Sequence, residues 1–234
     1  MTPDVVYGRN AVREVLRGRR EVLELYVGER ARDALDFLPP GRRVHVRPER
    51  ELAELAGSAD HQGIVASCEP YRYADAWELA GHASPLLCCL DQVTDPRNLG
   101  AVVRATAAAE ATGVVVTEHR AAHVTAAVCR ASAGAVEHLP VAIVPNMARY
   151  LGDVKGPALW VYAAVADAPT GMWEADLTGG VALVFGAEGK GLRPLVRRTC
   201  DGELSIPVAP GVESLNVSVA AALLLYEARR QREL

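Results

Sequence analysis

Apolar positions along the 234-residue chain follow two regimes. Up to about residue 72 they come in short stretches that alternate between helical and strand spacing. A helix is predicted near Arg9 to Arg17, a strand at LELYVG, a helix around Arg30 to Phe37 and a strand at RVHV. A helix through Glu49 to Leu55 and a strand at GIVASCEPY complete a small α/β unit. The following YRYADAWELAGHASP mixes aromatic, small and polar residues without a clean period and ends on the breakers Gly81 and Pro85. Residues 73–84 therefore read as a linker between a domain at 1–72 and a second at 85–234.

Beyond Pro85 apolar runs of strand length alternate with helical stretches: LLCCLD, GVVVTE, HLPVAIV, ALWVYAAV, GGVALVFG and GELSIP. This is the pattern of a parallel sheet with crossover helices. The last element, SLNVSVAAALLLYEARRQREL, stays apolar almost all the way round from Leu215 to Tyr226 and then turns basic. A surface helix carries a polar face, so this one is expected to bury itself against the sheet, a second subunit, or both.

Composition narrows the class. Half of the residues are hydrophobic and 23% are charged, the balance of a chain that folds around sizeable cores. The first residues, MTPDVVYGRN, lack the features of a signal peptide, and no apolar run reaches the ~18 residues of a membrane span. A soluble cytoplasmic protein is expected. Cys68, Cys88, Cys89, Cys129 and Cys200 are odd in number and lack C-x-x-C spacing, which points to neither a disulfide framework nor a metal site. Cys88 and Cys89, inside PLLCCLD, read as small buried hydrophobes. The net charge of -4 runs against a nucleic-acid partner. Clusters at Arg17, Arg19 and Arg20 and at Arg42, Arg43 and Arg47 still leave room for a local basic face.

Three strand ends in the second domain lead into polar or glycine-rich residues, where open α/β sheets place their ligands. In LDQVTDPRNLGAVVRATAAAEATG, Pro96 ends any preceding helix and Asn98 reads as the N-cap of the next. Its core stripe is Leu99, Val102, Val103, Thr106 and Ala107. Arg104 lies off that stripe, either solvated or functional. In VALVFGAEGKGLRP a strand runs into Gly186, Gly189 and Gly191, residues that permit close backbone approach to a ligand. Glu188 between them is either a ligand contact or an exposed turn residue. The segment is neither a Walker loop nor G-x-G-x-x-G. In ELSIPVAPGVESLNVSVAAA, Pro207, Pro210 and Gly211 hold a rigid loop before Ser214 and Asn216 open the last helix, as caps or as part of an anion site.

Taken together and in this order, NLGAVVRAT, FGAEGKGL and IPVAPGVESLNVSVAAA resemble the three motifs of the SpoU (TrmH-like) 2'-O-ribose methyltransferases. The resemblance extends to the start of the chain. YGRNAVREVL and HQGIVA are similar to the substrate-binding domain of the branch that modifies a guanosine in bacterial 23S rRNA.

The resemblance implies an α/β SPOUT fold, a parallel sheet with a C-terminal trefoil knot, preceded by a small L30e-like RNA-binding domain. It implies S-adenosylmethionine as cofactor, held largely by backbone groups at Gly186, Ile206 and Leu215, and no metal. Asn98, Arg104, Glu188, Ser214 and Asn216 match the catalytic positions, and a homodimer acting on RNA, 23S rRNA in this branch, is expected. A guanidinium is a poor base at neutral pH, so Arg104 is expected to position phosphate and hydroxyl groups. Six residues turn a helix by about 600°, so Asn98 and Arg104 do not share a face if both are helical. A tRNA ribose methyltransferase and a catalytically inactive RNA- or ribosome-binding protein of the same fold are the competing readings. A nucleotide-phosphate enzyme built on GAEGKG lacks the required lysine and hydroxyl pattern.

Overall fold

In the computed structural model of the chain, residues 2–29, 31 and 36–233 are described. They form two compact units: residues 1–72 with 124–138, and residues 73–123 with 139–234.

The first unit opens with β1 (Asp4–Tyr7), α1 (Arg9–Arg17) and β2 (Val22–Gly28). It continues through β3 (His45–Arg47), α2 (Glu49–Ala56) and β4 (Ile64–Cys68). The strand order is β1-β4-β2-β3, with β4 antiparallel to both neighbours and β2 parallel to β3. α1 buries Ala11, Val12 and Val15, as its spacing predicts. The helix expected around Arg30 to Phe37 falls largely on residues outside those described.

The second unit begins where the linker was expected. Asp75 accepts from the backbone N–H groups of Trp77 and Glu78 at 2.8 and 3.0 Å, and this cap starts α3 (Ala76–Ala80). Ala76 and Leu79 are buried, and the Tyr150 hydroxyl donates to the Ala76 carbonyl at 2.9 Å. One turn of helix is too short to show a period, so the stretch reads as unpatterned although Ala76 and Leu79 are core. β5 (Leu86–Asp91), α4 (Pro96–Ala108) and β6 (Gly113–Thr117) follow.

The chain then supplies α5 (Ala126–Ala131) and a 3-10 turn at Ala135–Glu137 to the first unit, whereas the sequence division keeps this segment with 85–234. Ala126 packs on the cluster of Tyr7, Leu52 and Val65. The buried Glu137 carboxylate accepts from Arg20 Nε at 2.9 Å. A buried carboxylate needs its cation, and that cation lies 117 residues away in sequence.

The second unit resumes with β7 (Val141–Val144), α6 (Met147–Val154), β8 (Trp160–Ala164) and the short β9 (Thr170–Gly171). β10 (Val181–Gly186), α7 (Pro194–Thr199), β11 (Gly202–Ser205) and α8 (Val217–Arg232) close it. Its seven strands run β7-β6-β5-β10-β8-β11-β9, all paired in parallel, as the alternating runs predict. β5 and β10 lie side by side at the centre, and Gly186 is in register with Asp91, so their C-terminal ends open together. The chain reverses direction in the order of its strands here: β6 lies on one side of β5, and β10 on the other. That is where a parallel α/β sheet leaves a crevice for ligands.

α8 packs on α4, β10 and β5, burying Val217, Ala221, Leu224, Leu225 and Ala228. Val219, Leu223 and Tyr226 stay exposed along the opposite stripe. Among the described residues no helix is long and apolar enough to cross a membrane, and no group of three or more His, Cys, Asp or Glu side chains is placed to hold a metal.

Candidate active site

The site forms at the C-terminal ends of β5 and β10. α4 starts at Pro96, whose missing N–H costs nothing in the first turn, but its N-cap is Asp95, which accepts from the Arg97 N–H at 2.8 Å. This corrects the expectation that Asn98 is the cap. Asn98 lies inside the first turn, and its side chain is free for another partner.

That partner is Glu188. Asn98 Nδ2 donates to Glu188 Oε1 at 2.7 Å, and Asn216 Nδ2 donates to the same oxygen at 2.7 Å. Asn216 Nδ2 also lies 3.1 Å from Asn98 Oδ1. The N-cap of α8 fixes the direction of this second amide. Asn216 Oδ1 accepts from the Ser218 N–H at 2.9 Å, which turns Nδ2 toward Glu188. Both helix starts thus converge on one carboxylate, whose Oε2 neither amide engages.

The loop that carries Glu188 is anchored at its far end. Arg193 Nε lies 2.9 and 3.0 Å from the two oxygens of Asp91, and Nη2 lies 2.6 Å from Oδ1. Asp91 is buried, and its carboxylate holds the Arg193 guanidinium in the charged form, above its ordinary value. Between these anchors Gly189 and Gly191 adopt left-handed backbone, φ 72° and 65°, which glycine accepts without strain. A Cβ on Gly186 would lie 2.1 Å from the Gly191 carbonyl carbon. Only glycine fits where the strand end passes its own loop.

A cavity of about 590 Å³ opens beside this loop, and its lining includes Gly186, Glu188, Ile206, Ser214, Leu215 and Asn216. Gly186, Ile206 and Leu215, expected to hold a cofactor, thus share one cavity with three of the expected catalytic positions. Ser214 is exposed on its wall. Arg104 is not among its lining residues. It lies exposed on α4, which is helical at both Asn98 and Arg104, so the two side chains leave different faces, as the helical turn requires.

Sequence reasoning missed Asp91 and Arg193, and also Asp167 and Arg197 on the cavity wall. The first pair was signalled: LLCCLD ends an all-apolar strand with a carboxylate that must find a cation once buried. Arg197 bridges Glu203 at 2.6 and 2.7 Å and Asp167 at 3.2 Å, contacts that have no local sequence signature.

The model of the SpoU rRNA Methylase family matches residues 85–226. The chain belongs to that family. A second model, RNA 2'-O ribose methyltransferase substrate binding, matches residues 5–74 of this SpoU methylase. It is 40% identical to the 23S rRNA (guanosine-2'-O-)-methyltransferase RlmB of Vibrio vulnificus, over 99% of this chain and 98% of that protein, and lies on the RlmB-like branch. The putative TrmH family tRNA/rRNA methyltransferase YacO of Bacillus subtilis is 38% identical over 98% of this chain and 96% of its own length. An uncharacterized tRNA/rRNA methyltransferase of Synechocystis, slr0955, is 37% identical over 98% of this chain, which spans 63% of that protein. Among solved structures, the SpoU methyltransferase AviRb of Streptomyces viridochromogenes, in complex with AdoMet, superposes with a TM-score of 0.83. It is 25% identical, and the match covers 99% of this chain and 91% of that one. This SpoU methylase is a methyltransferase by family and by fold.

Proposed function

We propose that this SpoU methylase transfers a methyl group from S-adenosylmethionine to the ribose 2'-hydroxyl of a guanosine in 23S rRNA. The observation that carries the reading is the convergence of Asn98 and Asn216 on Glu188, in a cluster bordering a cavity of about 590 Å³.

The cavity suits the cofactor in size, lying in the range of ~300–1,000 Å³ that small-molecule sites occupy. It suits it in chemistry as well. Backbone at Gly186 is bare of any side chain, Ile206 and Leu215 supply apolar surface, and Glu188 supplies a carboxylate on the wall. When bound there, S-adenosylmethionine supplies an electrophilic methyl on a cationic sulfur. Direct transfer then needs alignment and removal of one proton from the acceptor hydroxyl. Glu188 is oriented for such work by its two amides, and its Oε2 is available to accept a hydrogen bond from a hydroxyl. Ser214 adds a hydroxyl on the same wall.

Arg104 leaves a different face of α4 from Asn98. It serves a site through RNA phosphate or hydroxyl positioning, and a homodimer supplies the geometry, with Arg104 of one subunit completing the site of the other. The exposed stripe Val219, Leu223 and Tyr226 supports a symmetric interface on α8. A trefoil knot in this region follows from the family resemblance, and the four-stranded sheet of the first unit supports an L30e-like RNA-binding module.

The test incubates the purified protein with labelled S-adenosylmethionine and unmodified 23S rRNA or tRNA, then maps resistance to alkaline cleavage. Methylation of one 23S guanosine is expected. Activity on tRNA alone overturns the ribosomal target, and cofactor binding without transfer to any RNA favours a binding protein. Arg104→Ala and Arg104→Lys should both lower turnover with S-adenosylhomocysteine affinity unchanged; near-normal turnover and RNA affinity in Arg104→Lys overturns the role assigned to Arg104.

A further inference from the structure

A second cavity, of about 480 Å³, adjoins the first; Ala187, Glu188 and Lys190 line both. Its remaining walls come from Gln92 to Asp95 after β5, from Asn98 in the first turn of α4, and from Arg120 after β6. Glu188 therefore lies on the wall that the two cavities share, with Asn98 on the side of the second. A two-substrate transfer needs its reactants held side by side, and adjoining cavities that share residues suit that need.

The second cavity differs from the first in chemistry. The first offers Phe185, Leu204, Ile206 and Leu215, whereas Val93 and Ala187 are the apolar members of the second. Gln92 and Thr94 bring an amide and a hydroxyl, each able to donate and accept. Arg120 and Lys190 are exposed, and no ion pair joins either to an acidic group among the described residues. The carboxylates on the same walls, Asp95 and Glu188, are engaged by Arg97 and by Asn98 and Asn216, so on a chain whose net charge is -4 these two unpaired cations supply the local attraction to phosphate. Gln92 and Arg120 also hold left-handed backbone, φ 61° and 55°, which is unfavourable for residues with a Cβ and concentrates at ligand sites.

We infer that the second cavity receives the acceptor nucleotide itself, with Arg120 and Lys190 holding its flanking phosphates and Gln92 and Thr94 meeting its base edge. The inference rests on the methyl-transfer reading for the identity of the ribose, but not for the binding of RNA. A nucleotide enters such a pocket only when unstacked from its neighbours, so the occupant is a single-stranded or extruded residue. Its sugar lies toward Glu188 and Asn98, the side shared with the first cavity. Arg120 and Lys190 are positioning residues, since they touch phosphates rather than the reacting hydroxyl.

The experiment compares the wild-type full-length protein with Arg120→Gln and Lys190→Gln. RNA affinity is measured across a salt series by filter binding, together with KM and kcat for RNA and the affinity for S-adenosylhomocysteine. Each variant is expected to raise the RNA KM by about tenfold, more than it lowers kcat. It should reduce the slope of log K against log salt by about 0.7, one single-strand phosphate contact. Unchanged S-adenosylhomocysteine affinity then rules out a collapsed site as the cause. If the wild type methylates RNA while both variants keep its KM and salt slope, the cavity assignment is overturned and the activity stands. If the wild type methylates no RNA, the methyl-transfer reading fails, and the salt slopes alone decide whether the cavity binds a nucleotide. A variant that also loses S-adenosylhomocysteine is replaced by Gln92→Ala, for which an unchanged preference among acceptor bases, or among bound RNA oligonucleotides, overturns the inference.

Discussion

Arg193 grips both oxygens of the buried Asp91 at 2.6–3.0 Å, tying the end of β5 to the end of the loop that carries Glu188. The two residues are 102 positions apart in sequence, and the side chain of Asp91 is fully shielded from solvent. The pair holds the far end of that loop beside Gly186, where the loop begins.

Arg193→Ala leaves that carboxylate buried without its cation, which should cost about 3 kcal/mol of stability. Urea denaturation checks it. Affinity for S-adenosylhomocysteine should fall with it, because Gly186, Glu188 and Gly191 border the same cavity. Asp91→Asn should be milder, since an amide still accepts from the guanidinium.

Asn98→Asp replaces an amide donor by a second carboxylate facing Glu188 across 2.7 Å. Turnover should fall, and Asn98→Ala should fall less than Asn98→Asp because it removes a hydrogen bond without adding repulsion. A lost hydrogen bond to a charged group is worth about 1.5–3 kcal/mol, or roughly 10–100-fold in rate if it acts in the transition state. Steady-state kinetics on RNA, with cofactor affinity measured alongside, gives the order. Equal activity in both variants would remove the charge argument.

Glu203 gives an acid limit to stability. Its hydrogen bonds from Arg197 hold the carboxyl below its ordinary value of 4.5. A carboxyl depressed in the native state adds stability above its unfolded value, and that contribution disappears as pH falls through the native one. Melting temperature should therefore decline below about pH 4.5, and Glu203→Gln should flatten the decline. An unchanged pH profile in that variant would show that other carboxylates govern the acid transition.

Burial pushes the Cys88 and Cys129 thiols up to about 12, and Cys89 also well above its ordinary value. Cys68 and Cys200 are pushed to about 12 by the same cause. Thiolate is the reactive form, so the folded protein should react slowly with a disulfide reagent at pH 8, and all five thiols should react after denaturation. Fast labelling of Cys68, Cys88, Cys89 or Cys129 in the native state would contradict its burial, and the partly buried Cys200 should be the first to react.

The apolar runs from LLCCLD to GELSIP were sufficient to predict a parallel sheet, because a strand buried on both faces must be apolar at consecutive positions. α1 was legible for the related reason that helical spacing records which face is buried, whereas α8, apolar nearly all round, announced its burial but not which stripe would stay exposed. Local chemistry was less complete. Asp95 rather than Asn98 caps α4, since both types suit a cap and only the start of the helix at Pro96 distinguishes them. α3 was hidden because one turn has no measurable period.

What local pattern could not encode was encounter. Asn98 and Glu188 are 90 residues apart, and Asn98 and Asn216 118 apart. The order of motifs along the chain identified them as a set, through family resemblance, but no spacing predicts that two amides share one carboxylate oxygen. That meeting follows from β10 pairing beside β5 and α8 packing on α4. The same holds for Arg20 and Glu137, which draw residues 124–138 into the first unit, and for Arg120 and Gln92, which share a cavity only because β6 lies next to β5. Burial is a property of each residue and leaves a periodic trace, whereas a site depends on strand order, and strand order exists only in the folded chain.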